Sequence, residues 1–276
     1  MRVRRKRAGC RWSTVLAVFL MPLPFAAQWL HYPTAGVPRG ADGKPNLAAP
    51  APRTAAGKPD FSGMWRPADP LPCDGVNRIC GDLPITPQFL NLADGLPGGL
   101  PYTVWARNAL QQRRGTLDPY TACITPGGPR RHLIPTMKKI VQTPALLIIL
   151  DEFNAGYRQI FLDGRPLPAD PQPTWNGYSS GHWEGDELVV ESNGFRDDQS
   201  LDAARNPLTS DAKVTERFRR PNFGGLEIRI TVNDRKAYTR PWTVLVKQSA
   251  VVDTEMLDAF CLEDEKDVPH LPEKRP

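Results

Sequence analysis

From residue 140 onward, apolar and polar residues alternate in short runs separated by turn residues, a pattern that predicts β-strands rather than helices. Residues 145–150 (ALLIIL) form a continuous apolar run, and 157–162 (YRQIFL) end at the turn Asp163-Gly164. Trp183-Glu184-Gly185-Asp186 turns into 187–191 (ELVVE). The stretch 213–220 leads through Asn222 and Gly225 into 226–232 (LEIRITV), where Leu226, Ile228, Ile230 and Val232 share one face. Residues 242–247 do the same with Trp242, Val244 and Val246. A first strand at 62–65 and another at 175–181 bring the total to about eight, and the short turns imply antiparallel pairing. The expected fold is all-β, an antiparallel barrel of about eight strands, with room inside for side chains or one small ligand.

The first half of the chain reads differently. Nineteen of the 30 prolines lie at or before Pro135, so this half is expected to be largely irregular. Within it, Gly43-Lys44-Pro45-Asn46-Leu47 recurs as Gly57-Lys58-Pro59-Asp60-Phe61 after 14 residues, an extended segment written twice. Two copies make no solenoid, and a proline-stiffened arm lying across the domain is the expectation. One short helix is expected at 103–114 (TVWARNALQQRR), with Val104, Ala106, Ala109 and Leu110 at spaced positions and Gly115 as a stop.

The N-terminus adds a compartment. Residues 1–12 hold six basic residues and no acid, and an apolar run follows from Val15 to Ala27, the layout of a secretory signal peptide. The run is broken by Pro22 and Pro24 and is short for a membrane anchor, so no stable span is expected after cleavage near Ala26 or Ala27. The chain then divides into a signal peptide (1–27), a Pro-rich extended arm (28–61) and a barrel domain (62–276) with a loop and helix insertion around 70–135. Removing the leader takes the net charge from +5 to −1. A nucleic-acid partner is therefore not expected, since its footprint needs a basic patch in the folded part. The expected location is the periplasm or the exterior.

Four cysteines remain in that oxidising setting, which points to two disulfides rather than free thiols. Of three connectivities, Cys73–Cys80 with Cys123–Cys261 is preferred, the first closing a small Pro/Gly-bounded loop and the second tying an early loop to the chain's end. No CxxC pair and no histidine pair supports zinc, and no metal or cofactor is expected.

A chain of ordered motifs follows. These are GKPNL and GKPDFSGMW in the arm, CITPGGPR (123–130), IVQTP (140–144), IFLDGRPLP (160–168), GHWEGDELVVES (181–192), TERFRR (215–220), AYTRPWT (237–243) and CLEDEKD (261–267). Over nearly the whole mature length the sequence resembles a family of exported bacterial proteins without an assigned activity, and the resemblance brings no mechanism with it. Gly63-Met64-Trp65 is in addition similar to the Gly-x-Trp that opens lipocalin-like barrels. That resemblance implies an indole closing the barrel base, stacked under an arginine from the last strand.

Glu216 carries the most information among the charges. Val214 and Phe218 on the same strand parity are apolar, so alternation turns Glu216 inward, and Arg158 shares a face with Ile160 and Leu162. A buried carboxylate has to be paired or protonated. Two roles are open to it: an internal ion pair with Arg158 or Arg165, or an acid/base group or ligand anchor in a barrel cavity. His182 stands beside Trp183 and near Glu184 and Asp186, as a general base oriented by an acid or as a hairpin histidine bonded to the EGD turn. His132 follows Arg130 and Arg131, either as part of an anion site or in a solvated loop. The aromatics Trp175, Tyr178, Trp183, Tyr238 and Trp242, with Arg158 and Arg165, are the candidate pocket lining. No nucleophile elbow, P-loop, dinucleotide fingerprint or HExxH is present. These readings converge on extracytoplasmic binding of a small apolar or amphipathic molecule in a barrel cavity. The alternative is a cofactor-independent isomerase, cyclase or hydrolase using Glu216 or His182 in the same cavity.

Overall fold

A computed structural model describes residues 32–72 and 85–261. The expected signal peptide and the expected Cys73–Cys80 pair lie outside the described residues. The barrel strands are β1 (Gly63–Pro67), β2 (Lys138–Gln142), β3 (Leu146–Asp151), β4 (Tyr157–Phe161), β5 (Tyr178–Glu184) and β6 (Glu187–Asn193), continuing with β9 (Lys213–Arg219), β10 (Gly225–Asn233) and β11 (Trp242–Val251). Two-residue strands β7 (Gln199–Ser200) and β8 (Pro207–Leu208) form a separate ribbon. The barrel closes in the order β1-β11-β10-β9-β6-β5-β4-β3-β2. The ring therefore has nine strands rather than eight, and the strand missed by the sequence reading is β2. Every junction is antiparallel except β4 with β5, which run parallel and pair only at Phe161 and Ser180. The expected all-antiparallel barrel is corrected at that junction.

Alternation places Val214, Glu216 and Phe218 of β9 and Leu226, Ile228, Ile230 and Val232 of β10 inside, together with Trp242, Val244 and Val246 of β11. Ile140, Leu147, Ile149, Ile160 and Val190 complete the interior from the opposite wall. Side chains thus occupy the space in which the sequence reading looked for a ligand. One polar turn also reaches it: in Gly128–Leu133, a 3-10 turn buried along its whole length, His132 meets Glu216 and Phe218 inside, Arg131 meets Asp151 of β3, and Arg130 pairs with Asp118 of the loop segment. His132 is therefore no solvated loop residue. Outside the ring of strands lie α1 (Pro87–Leu90) and α2 (Val104–Arg113); α2 is the helix expected at 103–114, and the Thr103 side chain caps it by accepting from the Ala106 N–H.

The arm's repeat is a turn rather than an extended segment. In both copies a left-handed glycine, Gly43 or Gly57, lets the chain fold back on itself. The Asn46 N–H then bonds the Pro38 carbonyl at 2.7 Å, and the Asp60 N–H bonds that of Pro52 at 2.9 Å. In each copy an arginine binds the glycine carbonyl and reaches a barrel aspartate, Arg39 to Asp253 and Arg53 to Asp186. The second copy ends in Phe61, fully buried at the base, stacked on Trp183 with centroids 5.7 Å apart and touching Phe218. Next to it Trp65 is buried, its indole donates to the Phe61 carbonyl, and the Arg220 guanidinium lies 4.7 Å over its ring. An arginine thus lies over the Trp65 indole, but it comes from just beyond β9 and not from the last strand.

Candidate functional site

Because β4 and β5 share a single paired position, the wall opens between them toward the mouth. A cleft of about 680 Å³ lies there, within the ~300–1,000 Å³ usual for small-molecule sites. Outward residues of β4, Tyr157, Gln159 and Phe161, form one side, and Trp175 to Ser179 form the other. The gap in the ladder is bridged by side chains: the Asn176 amide donates to the Tyr157 carbonyl at 2.8 Å, and Arg131 donates to the Asn176 amide oxygen at 2.8 Å.

Close backbone approach fixes the Trp175 segment. Gly127 of the CITPGGPR motif lies so near the Trp175 carbonyl that a Cβ would sit 1.6 Å from its oxygen. Gly177 has φ +64° and would place a Cβ 2.5 Å from the Asn193 carbonyl oxygen. Of the sequence-derived candidates, the cleft brings together Arg158, Trp175 and Tyr178, with Arg165 on the rim. Tyr178 stacks on Phe161 at 5.3 Å, and Arg165 lies 3.9 Å over Phe161 and donates to the Tyr178 hydroxyl at 3.4 Å. Arg196 covers Trp175 at 4.9 Å. Trp183 is not part of this group; it stacks under the arm at the base. Tyr238 and Trp242 pack edge to face on each other in the core, with the Tyr238 hydroxyl donating to the Pro207 carbonyl.

Behind the cleft floor lies a buried charge cluster. Glu216, wholly buried, accepts from both terminal nitrogens of Arg158 and contacts His132 Nε2 at 2.8 Å. Arg158 also donates to the Ser179 and Ser192 hydroxyls. Arg131 pairs with Asp151. Burial pushes the Glu216 carboxyl up, but the Arg158 charge and the His132 hydrogen bond outweigh it and hold the group well below the usual carboxylate range. Burial lowers His132, overriding Glu216's opposite pull, and burial with the nearby Arg131 charge brings Lys138 down to about 7. Glu216 thus forms the ion pair with Arg158 that was one of the two roles open to it, while Arg165 pairs with Asp163 outside. His182 stands exposed on the outer face of β5, 3.3 Å from Glu184 of the EGD turn, so it and Glu216 do not belong to one constellation.

Reading the sequence weighed Arg131 only as part of an anion site with Arg130 and His132, and it missed Asn176 and Gln159 at the cleft and Lys138 and Asp151 beneath it. Asn176-Gly177 was legible as a turn, and Asp151 ends an apolar run, but nothing local distinguishes inward Lys138 from outward Lys139. The Cys123–Cys261 disulfide forms as expected, with Cα atoms 5.5 Å apart. It sits at the cleft's upper edge, where Asn154 bonds both the Cys123 carbonyl and the Cys261 N–H. Among the described residues no cluster of His, Cys, Asp and Glu could hold a metal ion, and no helix is long and apolar enough to cross a membrane. No family model matches the chain, and no curated protein is similar enough to it to count as a relative.

Proposed function

We propose that this protein, after export, binds a small amphipathic molecule in the β4–β5 cleft. The observation that carries the reading is the opening of an otherwise closed barrel at its one parallel junction, where aromatic rings and hydrogen-bonding side chains converge. Trp175, Tyr178 and Phe161 line the cleft with aromatic rings, and Gln159 and Thr125 add polar side chains, the combination typical of small-molecule sites. The basic leader and the resemblance to exported proteins support the location. Acid/base catalysis has less support, because Glu216 is locked to Arg158 and His182 faces away from the cleft. Native mass spectrometry of the mature protein mixed with metabolite extracts tests the proposal. A retained mass that is lost in Trp175→Ala and Tyr178→Ala is the expected result. Retention that neither variant alters would overturn it.

A further inference from the structure

The chemistry of the cleft narrows its ligand, and the argument below rests on the binding proposal just made. Four arginines surround the cleft, and each has its own carboxylate: Arg131 with Asp151, Arg158 with Glu216, Arg165 with Asp163 and Arg196 with Asp198. The site therefore offers no surplus positive charge to an anionic headgroup. An acyl chain is served no better, since gaining the hydrophobic contribution requires apolar surface to be removed from water. The barrel interior that could enclose such a chain is filled by Ile149, Ile160, Val190 and their neighbours, and the cleft opens to solvent between two strands.

What the cleft does present is ring faces edged by neutral hydrogen-bonding groups. Trp175 and the stacked Phe161–Tyr178 pair are held in fixed orientations by guanidinium groups lying over them. In the same cleft Gln159 brings an amide with two donors and an acceptor, and Thr125 brings a hydroxyl. A pyranose ring matches this arrangement, with one face of C–H bonds to set on an aromatic plane and an equatorial belt of hydroxyls that both donate and accept. We infer that the ligand of the β4–β5 cleft is a neutral saccharide, recognised by aromatic stacking on Trp175 and Tyr178 and by amide and hydroxyl contacts along the β4 edge.

Saturation-transfer NMR on the mature protein tests this with cellotriose, maltotriose and chitotriose as probes, alongside a broader glycan array and with oleate and 1-anilinonaphthalene-8-sulfonate as contrasts. Signal transfer to the C–H protons of at least one neutral saccharide is expected. Affinity should be about tenfold weaker in Trp175→Ala, the loss of one aromatic stack, and weaker in Gln159→Ala, which removes an exposed side chain and leaves the wall intact. Binding of oleate or the naphthalene sulfonate that depends on Trp175, without saccharide binding, overturns the saccharide assignment and leaves the cleft reading standing. If no probe binds in a Trp175-dependent way, both fall.

Discussion

Replacing Glu216 by Gln probes the polar centre of the barrel. The variant keeps the size and one acceptor oxygen of the native side chain but removes the charge that offsets Arg158, whose guanidinium is 1% exposed and otherwise bonded only to two serine hydroxyls. Removing one partner of a buried ion pair costs about 3–5 kcal/mol. The retained amide oxygen and the serines set the expectation at the low end, about 3 kcal/mol. At roughly 2–4 °C per kcal/mol for a domain of this size, the variant should melt roughly 6–12 °C below wild type at pH 7. The difference should depend on pH. Arg158 and His132 lower the folded-state pKa of Glu216 despite its burial, so its stabilisation is complete above the unfolded carboxylate value of ~4.3 and fades as pH falls further. His132, lowered by burial against Glu216's opposite pull, weakens both proteins below its unfolded value of ~6.5 and weakens the variant more, so the gap widens there before the loss of the Glu216 contribution closes it at lower pH. Circular-dichroism melts from pH 3 to 8 should show the two curves approaching each other below about pH 4.3. A gap under about 2 °C at pH 7, or one that does not change with pH, would refute the argument. Glu216→Gln with Arg158→Met should melt above Glu216→Gln alone, because no unpaired charge is then left inside.

The crosslink and the arm give three further outcomes. The Cys123–Cys261 bridge closes a loop spanning 138 positions, so Cys123→Ser with Cys261→Ser should lose up to about 5 kcal/mol in the chain-entropy model; non-reducing peptide mapping that finds both thiols free in the wild type would remove the basis for this. Phe61→Ala, which empties the base of a fully buried ring, should cost about 3–5 kcal/mol. Arg39→Ala and Arg53→Ala break solvent-screened pairs and should leave the melting temperature unchanged within error, and a larger loss in either would show that the turns rather than Phe61 hold the arm.

Strands with a clean alternation were legible because one face meets the core and the other meets water. Glu216 was readable for the same reason: its neighbours Val214 and Phe218 fixed the parity, and the partner on β4 followed from Arg158 sharing a face with Ile160. The buried arginines of the 128–133 turn were not legible, because a Pro-Gly-Gly-Pro loop with two arginines and a histidine has the composition of solvated surface. Their burial depends on Asp118, Asp151 and Glu216, which lie 12, 20 and 84 residues away. The aromatics were equally ambiguous. Trp175 and Trp183 are separated by eight residues and both flank strand ends, yet one borders the cleft and the other seals the base under Phe61. Only the position of the arm decides between them, and that is long-range information.

The single strand that escaped the sequence reading explains why the cleft exists. Around a closed ring in which all neighbours are antiparallel, strand direction must alternate, and alternation closes only for an even number. Eight strands would satisfy that condition, and the ninth, β2 with the undistinguished sequence KKIVQ, breaks it. At least one junction must then be parallel. A parallel junction needs a long crossover in place of a hairpin turn, and the link from Leu162 to Gly177, with Pro166, Pro168, Pro171 and Pro173 along it, supplies one between β4 and β5. The ladder is nonetheless a single pair, Phe161–Ser180; in that register Tyr157 to Ile160 face Asn176 to Ser179, and there the Asn176 and Arg131 side chains bridge the gap in place of backbone pairing. The parallel junction at which the proposed ligand site opens is thus a consequence of the odd strand number.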